Sequence, residues 1–419
     1  MPIPEAFRRR LYPNLAEIAA HFGTPFHIYD EAGIRQTVRE LYAAFDGLGF
    51  QEFFAVKALP NPHILRILSQ EGCGFDCSSV PELILARQSG AQPGDIFFTS
   101  NNTTRAEFAV AQADGGAYLN LDDISLLDRI PTQPEIIAFR MNPGSDMGNA
   151  IIGKPEVSKF GIPREKLVDA YRLAQAQGIQ RFGLHQMVVS NERDAEVLLA
   201  SAQLLHDVAC QLQSELGITL EFINIGGGLG IPYEPNHKPL NLPQLAAGIR
   251  ELWRDFPETR LFMESGRYVT GPQGVLVTRV INIKDSYRRY IGVDASMPAL
   301  MRPGMYGAYH HIDVYDAAPD SPQEMVDIVG SLCENNDKFA MQRPLPTVNL
   351  GDLLVIQDTG AHGYSMGFNY NGRLRPQELL LRADGIIERI RRPETLSDYF
   401  ATLDHVAPDP FEPPRTPLN

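Results

Sequence analysis

The chain has 419 residues, with 37 Lys+Arg against 51 Asp+Glu and a formal net charge of −14. Hydrophobic residues make up 44% of the chain and charged residues 21%, which is typical of a globular protein with a large core. The acidic balance argues against a nucleic-acid binder, because no lysine- or arginine-rich block offsets it. No apolar stretch is long enough for a signal peptide or a membrane-spanning helix. The length suits a barrel of ~250 residues with a second domain of ~150.

The four cysteines, Cys73, Cys77, Cys210 and Cys333, are too few for a disulfide scaffold. Cys73 and Cys77 have a C-x-x-x-C spacing, but no second pair with zinc-ligand spacing follows them. We therefore expect reduced thiols in a cytoplasmic protein, and no metal site.

From residue 51 onwards, short apolar runs alternate with longer amphipathic segments. The runs, which predict strands, lie at 53–57, 75–78, 96–99, 117–120, 135–141, 182–188, 221–226 and 261–265. The segments between them predict helices at 61–70, 80–90, 104–113, 163–178, 193–216 and 242–255. Strict alternation predicts a parallel sheet, because parallel strands need crossover connections. Eight repeats over roughly 215 residues favour an α/β fold with a closed (β/α)8 barrel.

After about residue 270 the pattern changes to runs rich in β-branched residues, separated by turns. These runs lie at 275–284, 290–294, 325–330, 352–358 and 378–390, and they predict an antiparallel β domain. The strand-like segment 26–30 could join that domain. The predicted organisation is a barrel domain at 36–272, a β domain from 1–35 and 273–405, and a proline-rich tail at 406–419.

Chemically functional side chains stand where the predicted barrel strands end, which is where the active sites of such barrels lie. They are Lys57, Asp76, Arg140, Ser190, the three glycines Gly226–Gly228 and the segment Glu264-Ser265-Gly266-Arg267. Lys57 could be a solvated lysine at a strand end, or a lysine that forms an imine with a carbonyl compound.

The glycines follow the seventh predicted strand, and Gly266 and Arg267 follow the eighth. Loops at these places commonly bind phosphate in βα barrels, since glycines let backbone N–H groups approach an anion and an arginine adds a charged fork. Tight turns and a surface arginine are the plainer interpretation. Two independent features at the expected place favour phosphate.

Glu264 precedes this loop, where it could pair with Arg267 or hold the proton on a heterocyclic nitrogen. A lysine, a phosphate cradle and a carboxylate in one barrel mouth together indicate pyridoxal 5'-phosphate (PLP). A carboxylate partner keeps the pyridine nitrogen protonated and makes the ring a strong electron acceptor. That favours decarboxylation over racemisation.

The chain resembles the PLP-dependent decarboxylases of fold type III, the alanine racemase-like barrel group, and most of all the diaminopimelate decarboxylases. The resemblance covers roughly residues 24–403. Its motifs here are FAVKA (54–58), FDCSSVPEL (75–83), FRMNPG (139–144), SKFGI (158–162), NIGGGLG (224–230), ESGRY (264–268), RPGMYGAYH (302–310), LCENND (332–337) and GAHGYSMGFNYNGRLRPQE (360–378).

The resemblance implies a role for each matching residue. Those implied to bind the cofactor are Lys57, Asp76, Arg140, Met187, Ser190, Gly227, Gly228, Glu264, Gly266, Arg267 and His362. Lys57 would be the imine lysine and Glu264 the partner of the ring nitrogen. Ser190, the glycines and Arg267 would surround the phosphate, and Arg140 would lie near the phenolic oxygen with Asp76 and Glu82 in support.

The resemblance also implies substrate-binding residues, namely Arg267, Arg302, Tyr306 and Glu334. Arg302 and Tyr306 match positions that grip the distal amino-carboxylate end of the substrate. Cys333 and Glu334 match a pair that enters the site from a neighbouring subunit, with Cys333 as the acid that protonates Cα and Glu334 as the receiver of the distal ammonium. The implied assembly is a homodimer with shared active sites.

Three positions depart from the family pattern. The commoner sequence has a His-Ile-Gly-Ser element after the sixth strand, and here Met187 replaces its histidine and Val189 its glycine. A tyrosine usual near the phosphate is His362. Methionine can pack on an aromatic ring but cannot donate a hydrogen bond, whereas His362 can still donate to phosphate. We expect His310 and His311 to lie in a loop near Tyr306 rather than to bind metal.

The resemblance implies decarboxylation of meso-2,6-diaminopimelate to L-lysine and CO2, the last step of lysine biosynthesis. An alternative is decarboxylation of a related amino acid, such as ornithine, lysine or a carboxylated polyamine. Arg302 argues against a substrate without a distal carboxylate, because a buried cation would then lack its partner. A fold type III racemase and a non-catalytic PLP-binding barrel are weaker alternatives.

Overall fold

The strands and helices come from a computed structural model, which describes residues 3–113, 115–144, 157–318 and 320–404. The strands are β1 (Phe26–Asp30), β2 (Gln51–Ala55), β3 (Gly74–Cys77), β4 (Ile96–Ser100), β5 (Tyr118–Leu121), β6 (Ile136–Asn142), β7 (Ile162–Pro163), β8 (Arg181–Gln186), β9 (Leu220–Asn224), β10 (Arg260–Met263), β11 (Gly274–Asp285), β12 (Arg289–Val293), β13 (Ile312–Val314), β14 (Gln323–Val329), β15 (Lys338–Pro346), β16 (Leu353–Ile356), β17 (Gln377–Leu381) and β18 (Ile387–Arg391). The α-helices are α1 (Glu5–Leu11), α2 (Leu15–Phe22), α3 (Glu31–Ala44), α4 (Pro62–Gln70), α5 (Val80–Gln88), α6 (Arg105–Gln112), α7 (Leu167–Ala176), α8 (Ala195–Leu216), α9 (Leu242–Leu252), α10 (Gly266–Thr270), α11 (Arg302–Tyr306) and α12 (Leu396–Phe400). The predicted tail at 406–419 lies outside the described residues.

Eight parallel strands close into a barrel. Hydrogen bonds join β2 to β3, β3 to β4, β4 to β5, β5 to β6, β6 to β8, β8 to β9, β9 to β10, and β10 back to β2. The two-residue strand β7 pairs with the last two residues of β6, Met141 and Asn142, and is not one of the eight. The prediction of a (β/α)8 barrel with eight strands is therefore confirmed.

Aromatic side chains fill the lower part of the barrel interior. Phe53, Phe97, Phe222 and Phe262 pack together with Ala138, and the rings of Phe222 and Phe262 stack at 4.4 Å. Strand β8 contributes Gly183 at this level, where an added Cβ would lie 2.1 Å from the Phe222 ring. The lower interior is thus a closed hydrophobic core, and it cannot serve as a channel.

Two residues further along, the inward position is polar in seven of the eight barrel strands, the exception being Ala55 of β2, since successive inward side chains in a strand are two residues apart. We call these residues the polar layer: Asp76, Thr99, Asn120, Arg140, His185, Asn224 and Glu264. The His185 ring lies 6.0 Å from the Phe97 ring below it. The aromatic core therefore supports a ring of polar groups at the carboxyl ends of the strands.

The remaining strands form a second sheet, in the order β15-β14-β12-β11-β1-β17-β18, and β13 and β16 pair beside β11. The N-terminal strand β1 pairs with β11 in antiparallel orientation. The predicted β domain is confirmed with mainly antiparallel pairs, but β12 and β14 pair in parallel. The long segment between these two strands carries the chain back to the end of the sheet where β12 begins, so β14 runs in the same direction as β12. The β-branched pattern alone does not indicate this direction.

The chain divides into two compact units. The first, which we call the barrel unit, comprises the described residues of Met1–Phe7, Asp30–Gln273 and Gly360–Ser365. The second, the β unit, comprises those of Arg8–Tyr29, Gly274–Thr359 and Met366–Asn419. Among the residues that the structure describes, no helix combines the length and the apolar character needed to cross a bilayer.

Candidate active site

Lys57 lies on a short turn, Val56–Ala58, that directly follows β2. The sequence pattern extended the strand to Lys57, but the strand ends at Ala55, so the lysine leaves the barrel wall and its side chain is 53% exposed. Its Nζ donates to Oδ2 of the buried Asp76 at 3.3 Å. The nearby carboxyl group of Asp76 raises the pKa of Lys57. The amine is therefore held protonated beside a carboxyl group.

Asp76 belongs to β3 and is almost completely buried. Burial and the nearby Glu264 raise the pKa of Asp76 to about 7, while Lys57 opposes the rise. Its Oδ1 has no hydrogen-bond partner within the described part of the chain. The turn after β3 is fixed by Glu82, which accepts hydrogen bonds from the backbone N and the hydroxyl of Ser78 at 2.7 and 2.8 Å. The resemblance implied that Glu82 supports Arg140 near the phenolic oxygen, and that role stays a prediction.

The glycines after β9 lie against the backbone of neighbouring loops. A Cβ on Gly227 would lie 2.4 Å from the Glu264 carbonyl oxygen, and one on Gly228 would lie 2.5 Å from that of Val189. Gly228 also has φ +92°, a conformation that disfavours other residues. In the next loop, a Cβ on Gly266 would lie 2.6 Å from the Ala58 side chain. The fold therefore needs glycine at all three positions.

The loop that contains Ser190 is joined to the glycine loop. The backbone N–H of Glu192 donates to the Gly228 carbonyl at 2.8 Å, and that of Gly230 donates to the Glu192 carbonyl at 2.7 Å. The side chain of Asn191 accepts the N–H of Ile231 at 2.9 Å. These bonds hold Ser190 beside the glycines, as predicted for a phosphate site.

A single cavity of the barrel unit brings together most of the predicted cofactor residues. Those that line it are Lys57, Met187, Ser190, Gly228, Glu264, Gly266, Arg267 and His362. Arg267 donates to the Tyr233 hydroxyl at 2.5 Å. His362 reaches the cavity because the segment Gly360–Ser365 belongs to the barrel unit, with its backbone N–H bonded to the Ala58 carbonyl at 2.9 Å. Three predicted cofactor residues, Asp76, Arg140 and Gly227, are not among the lining residues, although Asp76 is bonded to Lys57, which is one of them.

Met187 lies between the two loops rather than pointing away from them. Its Sδ accepts the backbone N–H of Gly227 at 3.2 Å, and its carbonyl accepts a hydrogen bond from Arg140 at 3.3 Å. Arg140 also lies 3.5 Å from Asp122. Burial lowers the pKa of Arg140, and the acidic groups around it oppose that effect. The methionine thus occupies the family's histidine position with a contact of its own.

Glu264 is the buried carboxylate of the site. Burial alone would raise its pKa, but His185, Lys57 and Arg140 together hold the pKa below its usual range. Asn224 donates to Oε1 at 2.8 Å, and Nε2 of His185 lies 3.2 Å from the same oxygen. A buried carboxylate that stays ionised is suited to hold a proton on a basic nitrogen.

These residues fit PLP. A lysine amine, an ionised buried carboxylate, and a glycine cradle with an arginine beside it meet at one cavity, and Asp76 keeps a buried oxygen without a partner there among the described residues. Glycines carry no Cβ that would shield their backbone N–H groups, so those groups can approach a bound phosphate closely.

The predicted substrate residues Arg302 and Tyr306 lie on α11 of the β unit. Arg302 is buried, and its Nη1 lies 2.8 Å from Nε2 of His310, whose Nδ1 lies 2.8 Å from the Gln357 carbonyl. Since the carbonyl can only accept, the His310 proton sits on Nδ1 and Nε2 accepts from Arg302. His310 therefore orients the arginine. Tyr306 is exposed.

Cys333 and Glu334 lie between β14 and β15 of the β unit, and both are exposed. They line a groove there with neighbours that include Tyr290 and Lys338. The backbone N–H of Cys333 donates to Asn371 at 2.6 Å. Asp337 accepts two backbone N–H groups, from Leu332 and Met297, at 2.8 Å each. The cysteine is thus presented on a loop with fixed backbone.

Sequence reasoning missed three residues of these sites, His185, Asn224 and Asp122, and it named His310 without its contact with Arg302. Only the register of a strand could have indicated the first two, because each is the inward residue at the end of a barrel strand. His185 stands two residues before Met187, which occupies the position of the family histidine. Among the described residues, no group of three or more His, Cys, Asp or Glu side chains is placed to hold a metal ion.

Comparisons with known proteins give consistent results. The sequence profile of the family described as "Pyridoxal-dependent decarboxylase, pyridoxal binding domain" matches residues 31–271. The chain is 49% identical over 424 residues to Protein TabA of Pseudomonas amygdali pv. tabaci, with 99% of each chain covered. It is 40% identical to the diaminopimelate decarboxylase of Methanothermobacter thermautotrophicus, with 92% of each covered.

Solved structures agree with the sequence relatives. The crystal structure of diaminopimelate decarboxylase from M. jannaschii in co-complex with L-lysine superposes with a TM-score of 0.87 at 33% identity, and covers 94% of each chain. The similarity therefore extends over both the barrel unit and the β unit.

Proposed function

We propose that this chain, which belongs to the pyridoxal-dependent decarboxylases, decarboxylates meso-2,6-diaminopimelate to L-lysine and CO2. The observation that carries the proposal is the cavity where Lys57, Glu264 and Arg267 meet the glycine loops. Relatives named diaminopimelate decarboxylase support the substrate, at 33–40% identity over more than 90% of this chain. We place the enzyme in the last step of lysine biosynthesis.

Bound PLP supplies an aldehyde that bonds amines and a ring that accepts the electron pair left when a carboxylate departs. Lys57 provides the amine that holds the cofactor, and Asp76 keeps that amine in place. Glu264 holds a proton on the ring nitrogen. Arg267, Ser190, Gly227, Gly228 and Gly266 bind the phosphate, and His362 donates to it.

The substrate end of the mechanism rests on the β unit. Arg302, oriented by His310, binds the distal carboxylate with a bidentate fork that a lysine could not provide. Tyr306 contacts the distal amino-carboxylate end of the substrate, and Glu334 accepts the distal ammonium. Cys333 delivers the proton from Sγ to Cα after CO2 has left. The substrate is thus a small amino acid whose distal end carries both a carboxylate and an ammonium group.

We further propose a homodimer in which Cys333 and Glu334 serve the site of the other copy. The exposure of both residues in a single chain supports this arrangement. We also propose that residues 36–272 act as the cofactor domain, to which the segment Gly360–Ser365 adds His362, with 1–35 and the rest of 273–405 as the β domain. All four cysteines are free thiols, which supports a cytoplasmic location.

The test of the proposal is product analysis with meso-diaminopimelate, L-lysine and L-ornithine offered in parallel. We expect CO2 and L-lysine from diaminopimelate and less than about a hundredth of that rate from the two substrates without a distal carboxylate, since neither can form the charged pair with Arg302. Equal or faster turnover of ornithine or lysine would overturn the assignment and favour the related-amino-acid alternative.

The variant Lys57→Ala tests whether Lys57 binds PLP, independently of the substrate. The purified variant should lack the absorption band that lysine-bound PLP gives at the violet edge of the visible spectrum, and it should lose activity. The matched control is Lys166→Ala, because Lys166 is exposed at the start of α7. The control should keep the band, and an unchanged spectrum in Lys57→Ala would contradict the role of Lys57.

A further inference from the structure

Two side chains from neighbouring strands grip the carboxylate of Glu264. Asn224 at the end of β9 donates to Oε1 at 2.8 Å. His185 on β8 brings Nε2 to 3.2 Å from Oε1 and 3.3 Å from Oε2. His185 is 1% exposed and Asn224 is completely buried. The carboxylate is therefore fixed by two contacts that bulk water does not share.

The orientation of Asn224 is determined by its other contact. Its Oδ1 accepts the backbone N–H of Gly226 at 2.9 Å, so the amide must turn Nδ2 towards Glu264. The same side chain thus ties the carboxylate to the start of the glycine loop. The Glu264 backbone N–H in turn donates to the Gly226 carbonyl at 3.0 Å. Movement of the carboxylate would disturb the loop.

Only one of the two ring nitrogens of His185 has a hydrogen-bond partner among the described residues. Its Nε2 faces Glu264, while its Nδ1 is buried without a hydrogen-bond partner among the described residues. A buried nitrogen without a partner destabilises the folded chain. If packing were the only requirement, an apolar residue at position 185 would give a more stable fold. The contact with Glu264 is the feature that accounts for a histidine here.

We infer that His185 is a positioning residue, which acts through Glu264 to hold the proton on the ring nitrogen of bound PLP. Its Nε2–H donates to the carboxylate, and this bond favours the ionised carboxylate and fixes its direction. The ionised carboxylate then keeps the ring nitrogen protonated, which makes the ring a stronger electron acceptor. The inference rests on the proposed role of Glu264 and adds the residue that controls it.

The experiment compares PLP with an analogue in which a C–H group replaces the ring nitrogen. The dissociation constants of both are measured by titration of the apoprotein for the unaltered chain, His185→Leu, His185→Asn and His185→Gln. His185→Leu and His185→Asn should lose about ten-fold in PLP affinity and less than two-fold in affinity for the analogue. His185→Gln can still donate from Nε2 and should keep the preference for PLP.

Equal losses for PLP and for the analogue would overturn the inference, because His185 would then only support the fold. The matched control is Thr99→Val, which removes a polar group from the same layer, where Thr99 contacts Asn120 rather than Glu264. Its preference for PLP over the analogue should be unchanged. The ratio does not depend on which amino acid is decarboxylated, so a wrong substrate assignment would leave this result intact.

Discussion

Glu52 is a carboxyl group buried completely on β2, close to the residues of the site. Its Oε1 accepts the backbone N–H of Ser265, the residue that follows Glu264, and its Oε2 has no partner among the described residues. Burial raises the pKa of Glu52 to about 8, and Glu264 adds to the rise. Glu52 is therefore largely protonated at neutral pH. It supports the loop of Glu264 from within the fold.

This pKa makes stability depend on pH. Between about pH 4.5 and pH 8 the folded chain binds a proton at Glu52 that the unfolded chain has released. Stability from this residue is complete below pH 4.5 and is lost as pH rises towards 8, with a slope of up to ~1.4 kcal/mol per pH unit. Glu52→Gln, which cannot ionise, should show a shallower decline.

The measurement is the urea midpoint of the unaltered chain and of Glu52→Gln at matched protein concentration across this pH range. The difference between the two should grow in favour of the variant as pH rises. Parallel pH curves would contradict a raised pKa of Glu52.

At the scale of elements, steric contacts limit which residues can stand in the loop after β9. Gly228 has φ +92°, and a Cβ there would come within 2.5 Å of the Val189 carbonyl oxygen. Val189 itself replaces a glycine of the family pattern, and its Cγ2 would lie 3.1 Å from that Cβ. The bulk that Val189 adds therefore leaves this loop no spare room.

Gly228→Ala should weaken PLP binding by at least about ten-fold, because both the left-handed backbone and the close carbonyl resist a side chain. The matched control is Gly217→Ala at the end of α8, where φ is +66° and no atom lies within 4 Å of the added Cβ. The control should lose ~1 kcal/mol of stability and keep its PLP affinity. Titration of both apoproteins with PLP measures the difference, and equal affinities would contradict the steric argument.

Elements of this kind were only partly predictable. The alternation of apolar and amphipathic segments places all eight barrel strands, since each pattern is local. The turn at Lys57 and the parallel pair of β12 and β14 were not predictable, because the end of a strand and its partner depend on hydrogen bonds to distant segments.

At the scale of the whole molecule, the proposed dimer makes a prediction about mixed subunits. Lys57→Ala and Cys333→Ala should each be nearly inactive alone. After subunit exchange, about half of the dimers are mixed, and each mixed dimer holds one intact site, so about a quarter of the activity should return. The rate of product formation from the mixture measures this. No recovery would mean that Lys57 and Cys333 act within one chain.

The sequence by itself determined the barrel and the residues at its mouth. Strand ends of a parallel barrel meet at one face, so the sequence alone predicts that Lys57, the glycines and Glu264 lie together. Only the tertiary structure decided which side chains hold Glu264. His185 and Asn224 reach it because closure of the barrel sets the register between β8, β9 and β10, and contacts across strands depend on that register. Burial, which governs the charge of Glu52 and Asp76, likewise exists only in the folded chain.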